Sequence, residues 1–279
     1  LDTERDSGDL EQASYFPKFV SDGNKIVYFS PDSKKFLSFS TASENQTHLA
    51  VNDMSKELGL DLKLTDNDQV YRINYSLDGS KAIIIYETGD ESQILKFASF
   101  ADKKVIDFPP NITSADFLDN SKIVAVKDKV KVIAMNTGLT ELETYVNSDR
   151  EYTAIFAVSS RNMILVDNNG QQFMLDNSSK GLKTVSTDGA VIKVLPSPDR
   201  NGNALVLMSQ DEFAIPYLTK PDGSSEKKEI CLASGENIAW LDSERLIFLD
   251  SQDESSADFR ILSVNDNSTD DKNSTTLHN

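Results

Sequence analysis

The sequence has little of what most chemistry needs. It holds one cysteine, Cys231, so no intrachain disulfide and no cysteine-rich metal site can form. It holds two histidines, His48 and His278, too few for a His-based metal site or a convincing Ser/His/Asp triad. No run of about 18 apolar residues occurs, so no helix within these residues spans a membrane. Positive charge is scarce: 28 Lys and Arg stand against 45 Asp and Glu, a formal net charge of −17. That balance repels phosphate backbones and argues against a nucleic-acid partner. The 12 glycines are scattered among turns and form no Gly-rich phosphate cradle.

What is present is globular. With 279 residues and 38% hydrophobic residues the chain can bury a sizeable core, and closed all-β domains of this size form single units. One pattern recurs: an apolar or aromatic strand, a short turn of Ser, Asp, Asn or Gly, a charged residue and a second apolar run. It reads Tyr28-Phe29-Ser30-Pro31-Asp32-Ser33-Lys34-Lys35-Phe36, then Asn74-Tyr75-Ser76-Leu77-Asp78-Gly79-Ser80-Lys81-Ala82-Ile83, then Asp116-Phe117-Leu118-Asp119-Asn120-Ser121-Lys122-Ile123. Further copies lie at Val158–Val166, Leu195–Leu207 and Ala239–Leu249. Taking Asp32, Asp78, Asp119, Ser160, Asp199 and Asp242 as markers, the spacing stays between 39 and 46 residues.

The turn residues have a physical reason. Asp, Asn and Ser side chains cap turn backbone, and Gly supplies the positive φ of a tight hairpin. Second runs such as Ala82 to Tyr86 are continuously apolar, which implies burial on both faces. Two weaker strands follow in each unit, among them Gln93 to Ser99, Lys103 to Phe108, Val130 to Met135 and Leu142 to Val146. Four strands in about 41 residues make a propeller blade. The expected fold is therefore all-β: a six-bladed β-propeller of four-stranded blades over residues 15–265, flanked by a mobile tail at 1–14 and a disordered polar tail at 266–279. Tyr15 to Val20 is expected to complete the sixth blade and close the ring, because closure removes exposed edges. The one candidate helix is Asp53 to Leu60.

The units around Ser30-Pro31-Asp32-Ser33-Lys34, Ser76-Leu77-Asp78-Gly79-Ser80-Lys81 and Ser197-Pro198-Asp199 resemble the WD40-like repeat of TolB-type β-propellers. The resemblance covers about residues 15–265 as architecture, and three copies keep the core. It implies a rigid platform that binds proteins or peptides at a propeller face or channel.

No residue qualifies as catalytic, cofactor-binding or metal-ligating. Cys231 sits in the strand-like Glu229-Ile230-Cys231-Leu232-Ala233 and reads as a buried structural thiol. His48, in Thr47-His48-Leu49-Ala50-Val51, reads as a strand residue. Asp66-Asn67-Asp68 lacks the Gly and downstream Glu of an EF-hand loop, and Asp253 and Glu254 follow from composition. Sequons occur at Asn45, Asn74, Asn111, Asn177, Asn267 and Asn273, a slight excess over chance. Phe29, Tyr75, Phe117 and Trp240 precede turns at equivalent positions and are expected in the core between blades.

The functional expectation is a non-enzymatic protein-binding or scaffold module with no cofactor, a monomer in isolation, whose partner is a protein or peptide and, given the charge, a basic one. A chain opening on Leu1 reads as trimmed, so a leader or anchor is expected to have been removed. The location is then extracytoplasmic, with the cytoplasm as the alternative. The competing class is an enzyme or accessory propeller using carboxylates or a metal at the central channel.

Overall fold

The computed structural model describes residues 18–20, 25–29, 35–42, 46–53, 56–64, 69–88, 93–185, 189–210, 213–228, 238–240, 243–253 and 256–264. Within these, side chains are described from 72 to 246 for most positions, and at 263–264. The described secondary structure is all strand, in six antiparallel sheets. The first is β1 (Lys18–Val20), β2 (Lys25–Phe29), β3 (Lys35–Ala42), β4 (Gln46–Asp53) and β5 (Lys56–Leu64). The second is β6 (Gln69–Tyr75), β7 (Lys81–Glu87), β8 (Gln93–Ser99) and β9 (Lys104–Asp107). The third is β10 (Ile112–Phe117), β11 (Lys122–Lys127), β12 (Lys131–Asn136) and β13 (Glu141–Asn147).

The fourth runs β14 (Tyr152–Ala157), β15 (Asn162–Asp167), β16 (Gln172–Asp176) and β17 (Gly181–Thr184). The fifth runs β18 (Ala190–Pro196), β19 (Ala204–Gln210), β20 (Phe213–Thr219) and β21 (Ser225–Lys227). The sixth has β22 (Ile238–Trp240), β23 (Arg245–Asp253) and β24 (Ser256–Ser263). In every sheet the strands follow chain order, as sequential hairpins dictate. The chain divides into two compact units, 1–155 and 156–279, the division falling inside β14.

Hairpin chemistry sets the repeat. Asp78 Oδ1 accepts from Ser76 Oγ (2.7 Å), Ser80 N (3.0 Å) and Ser80 Oγ (2.7 Å), while Gly79 takes φ 65°. Asp119 Oδ1 accepts from Ser121 N, Ser121 Oγ and Lys122 N at 2.7–2.8 Å. In the fourth copy the capping oxygen is Ser159 Oγ, bonded by Arg161 N and Asn162 N, so the marker is one residue earlier than the Ser160 expected. In the fifth copy Arg200, φ 51°, donates its N–H to Ser197 O as Gly79 does to Ser76 O.

The second strands are the most buried, as their continuous apolar runs require: Ile123 to Val126 are fully buried, and so are Ala204 to Met208. The outer strands β13 and β17 are largely exposed. In the first unit, Ile83 and Ile85 of β7 join Leu95, Phe97, Phe117, Ile123 and Ile133 in one core between the second and third sheets. In the second unit, Leu205 and Leu207 of β19 meet Ile238, Trp240 and Leu246 in another. Alternate residues of a strand thus serve opposite faces. Phe117 and Trp240, 1% and 4% exposed, are core as expected. Tyr75 is half-buried, and the Phe29 side chain lies outside the described residues.

Three expectations are corrected. Four sheets are four-stranded rather than six, the first having five strands and the sixth three among the described residues. The N-terminal strand does not complete the sixth sheet: β1 pairs with β2, Lys18 opposite Val27 and Val20 opposite Lys25. Only Ser21-Asp22-Gly23-Asn24 separates the two, and closing a four-residue loop costs far less entropy than pairing across the chain. Of the candidate helix Asp53 to Leu60, the described residues, Asp53 and Lys56 to Leu60, are strand, because Leu58, Leu60, Leu62 and Leu64 alternate with Gly59, Asp61 and Lys63 at the period of two that a strand demands. The expected tails at 1–14 and 266–279 lie outside the described residues.

Candidate binding surface

The first strand of a sheet should pair residue for residue with the second, yet three of them carry an extra residue at the same place. The register skips between Val70 and Arg72 in β6, between Ile112 and Ser114 in β10, and between Val191 and Lys193 in β18. Tyr71, Thr113 and Ile192 are therefore bulge residues near the strand starts. A bulge interrupts the ladder and re-aims a side chain, and bulges concentrate where a sheet meets a ligand or a rim. Ile192 is 53% exposed, an apolar side chain presented to solvent by this irregularity.

Within each unit, side chains also join neighbouring first strands. In the first unit, Arg72 Nη2 donates to Ser114 Oγ (3.0 Å), Ala115 O (3.2 Å) and Ile155 O (3.4 Å), tying β6 to β10 and β14. Asn74 Nδ2 donates to Ala115 O at 2.8 Å, and Ile155 N donates to Ser114 Oγ at 3.1 Å. In the second unit, Trp240 Nε1 donates to Leu195 O at 2.8 Å, joining β22 to β18, and Arg200 Nη1 donates to Ala157 O. The residues that make these bridges do not repeat from one sheet to the next.

At the turns, the carboxylates serve the backbone. Partial burial pushes the Asp78 carboxyl up, but hydrogen bonds from Ser76 and Ser80, with Lys81 nearby, outweigh it and hold it below the usual carboxylate range. Asp119 is likewise low: burial raises it, and Ser121 and Lys122 more than compensate. Asp176 is held far below its ordinary value by the Arg161 guanidinium, 2.6 Å away, and by Ser178. A carboxylate kept ionised and engaged in this way is a poor general acid.

His48 falls in β4, as expected, with Ser40 of β3 and Asp61 of β5 as register partners. This is a mid-ladder position whose backbone groups serve strand pairing rather than an oxyanion hole. Cys231, His278, Asp66-Asn67-Asp68 and Glu254 lie outside the described residues, and Asp253 ends β23. Of the sequon asparagines, Asn74, Asn111 and Asn177 use their side-chain amides as donors within the fold, to Ala115 O, Asp128 Oδ1 and Ser160 O. Asn45, Asn267 and Asn273 lie outside the described residues. Among the described residues, no group of three or more His, Cys, Asp or Glu is placed to hold a metal ion, and no helix is long and apolar enough to cross a membrane.

No protein-family model matches the sequence, and no curated protein matches it. Solved structures do match. The C-terminal WD40 domain of Sif2 is similar over 84% of this chain and 67% of its own, with TM-score 0.50 and 14% identity. The β-propeller domain of Cps50 (Swd1) from Myceliophteria thermophila is similar over 86% and 83%, with TM-score 0.54 and 11% identity. An oligogalacturonate lyase in complex with manganese is similar over 80% and 72%, with TM-score 0.54 and 10% identity. At these identities the likeness shows the fold alone. The fold is all-β, of the β-propeller class, with four-stranded antiparallel blades. A WD40 domain and a lyase both stand among the neighbours, so function rests on the surface rather than the fold.

Proposed function

We propose that this chain is a non-enzymatic protein-binding or scaffold module that uses the bulged start of β18 as a recognition surface. The observation that carries the reading is the bulge in β18, which leaves the apolar Ile192 53% exposed at a register interruption that β6 and β10 of the first unit repeat. A rigid platform with variable side chains is what a binding surface needs, because little ordering entropy is lost on association. The WD40 neighbours support it as a class of platform for protein partners. The same reading takes the recurring strand units as TolB-type repeats, and a net charge of −17 favours a basic partner.

The test is affinity capture with the wild-type chain and with Ile192→Ser and Ile192→Lys, each first shown to be folded by circular dichroism. The reading expects a partner whose retention falls at least tenfold in the variants and weakens with salt. Retention unchanged in both variants, or turnover of a small substrate by pure protein without any partner, would overturn it.

A further inference from the structure

In an Asn-Gly pair the asparagine side chain is open to attack by its own backbone, because glycine has no Cβ to shield the following nitrogen and reaches the dihedrals that closing a five-membered ring needs. The sequence holds two such pairs, Asn169-Gly170 and Asn201-Gly202, and the fold treats them differently. Asn201 is locked: its Oδ1 accepts from Ser197 Oγ and Asn203 N at 2.9 Å each, and its Nδ2 donates to Asp199 Oδ2 at 3.1 Å. The attacking nitrogen is held too, since Gly202 N donates to Val158 O at 2.8 Å and a Cβ on Gly202 would lie 2.5 Å from Pro221 Cγ. Asn169 sits in the turn between β15 and β16. Its backbone N–H donates to Asp167 Oδ1 at 2.9 Å, but its side chain is exposed and hydrogen-bonds to none of the described residues. Gly170 N donates to Asp167 O at 3.0 Å, a bond closed within the same turn. The Asp78 and Asp222 carboxyls, which also precede glycines, both lie below the ordinary carboxylate range and, being ionised, are poor electrophiles.

We propose that Asn169 is a site of spontaneous deamidation, which writes an aspartate or isoaspartate into the turn beside the exposed Ile192. The Gly170 nitrogen leaves Asp167 O, gives its proton to hydroxide and bonds to Asn169 Cγ. The Cγ–Nδ2 bond breaks, and ammonia departs with a proton taken from water. Water then opens the five-membered imide, its OH going to one carbonyl carbon and its H to the nitrogen. The sum is one water consumed and one ammonia released, with no change of oxidation state. The turn is seated against the start of β18: Val191 N donates to Gly170 O at 3.0 Å, and a Cβ on Gly170 would lie 2.6 Å from Ala190 Cβ. Isoaspartate adds a methylene to the main chain and displaces Gly170, whose carbonyl Val191 uses, whereas aspartate adds charge alone. The reaction stands whether or not the surface around Ile192 binds a partner.

The full chain is aged at neutral and at mildly alkaline pH, folded and in concentrated urea, and then digested. Mass spectrometry follows the peptides carrying Asn169 and Asn201, with isoaspartyl methyltransferase marking isoaspartate. In the folded protein, conversion at Asn169 is expected at least tenfold faster than at Asn201, since each hydrogen bond that Asn201 must break costs a several-fold factor. The rate should rise with hydroxide. In urea the two rates should come within a few-fold of each other, because both are then open Asn-Gly pairs. Asn169→Gln, whose longer side chain would need a six-membered ring, should abolish conversion at this position and leave Asn201 as it was. Amide exchange at Val191 should quicken in the isoaspartate form and stay unchanged in Asn169→Asp. Equal rates at the two asparagines in the folded protein, or an Asn169 that converts in urea but not in the fold, would overturn the proposal. Unaltered Val191 exchange in the isoaspartate form would overturn its link to the surface around Ile192.

Discussion

Replacing Ser114 by alanine tests whether side-chain bridges hold the first strands together. Ser114 is buried, and its Oγ accepts the N–H of the fully buried Ile155 at 3.1 Å and one guanidinium N–H of Arg72 at 3.0 Å. Ser114→Ala leaves the Ile155 N–H without this acceptor inside the protein, a loss of about 1–3 kcal/mol. Arg72 suffers less, because Nη2 keeps the Ala115 and Ile155 carbonyls. A domain is stable by only about 5–15 kcal/mol, so this is a substantial fraction. It corresponds to a fall of roughly 2–4 °C in Tm per kcal/mol for a unit of this size. Urea unfolding followed by far-UV circular dichroism measures the loss, and amide exchange at Ile155 locates it. Combining Ser114→Ala with Arg72→Met should give a coupling energy of about 0.5–3 kcal/mol, since the two share a hydrogen bond. A loss under about 0.5 kcal/mol, within the range of neutral surface changes, would refute the reasoning, as would unaltered exchange at Ile155.

Backbone geometry and pH supply further tests. Gly202 has φ +99°, and an added Cβ would lie 2.5 Å from Pro221 Cγ, so Gly202→Ala should destabilise by about 1–3 kcal/mol in thermal melts. Conversely, Lys103 is exposed with φ 50°, and Lys103→Gly should stabilise by about 0.5–1 kcal/mol; an unchanged or lowered Tm counts against strain at this turn. The lowered pKa values of Asp78 and Asp119 give stability that is present above the ordinary carboxylate pKa of about 4 and is lost as pH falls through their depressed folded values. Asp119→Ser, which copies the fourth repeat's Ser159 cap, should therefore show a shallower loss of stability below about pH 4 in acid titrations. Identical acid profiles would remove Asp119 from the account.

The hairpins were legible because their causes are local: Asp78 caps a turn of its own neighbours, and the apolar run Ile123 to Val126 announces burial on both faces without reference to any other strand. The four-leucine alternation of β5 was equally local and still misread, because Lys56 to Leu60 alone fits a helical turn and only the continuation to Leu64 fixes a period of two. Pairing of β1 was not decided by its own composition. Tyr15 to Val20 suits either edge, and the short connection Ser21 to Asn24 settles the matter through loop entropy. The bulges are hidden for a deeper reason. An extra residue in β10 exists only relative to β11, so no reading of Thr113 in its own strand can find it. Arg72 is hidden likewise, since its acceptors lie 42 to 83 residues away. What repeats in this chain is therefore what short-range chemistry dictates. The bulges arise only once strands have paired, so whatever residues occupy them are free to differ between copies without cost to the hairpins. That freedom is the condition for a repeated fold to acquire one specific surface.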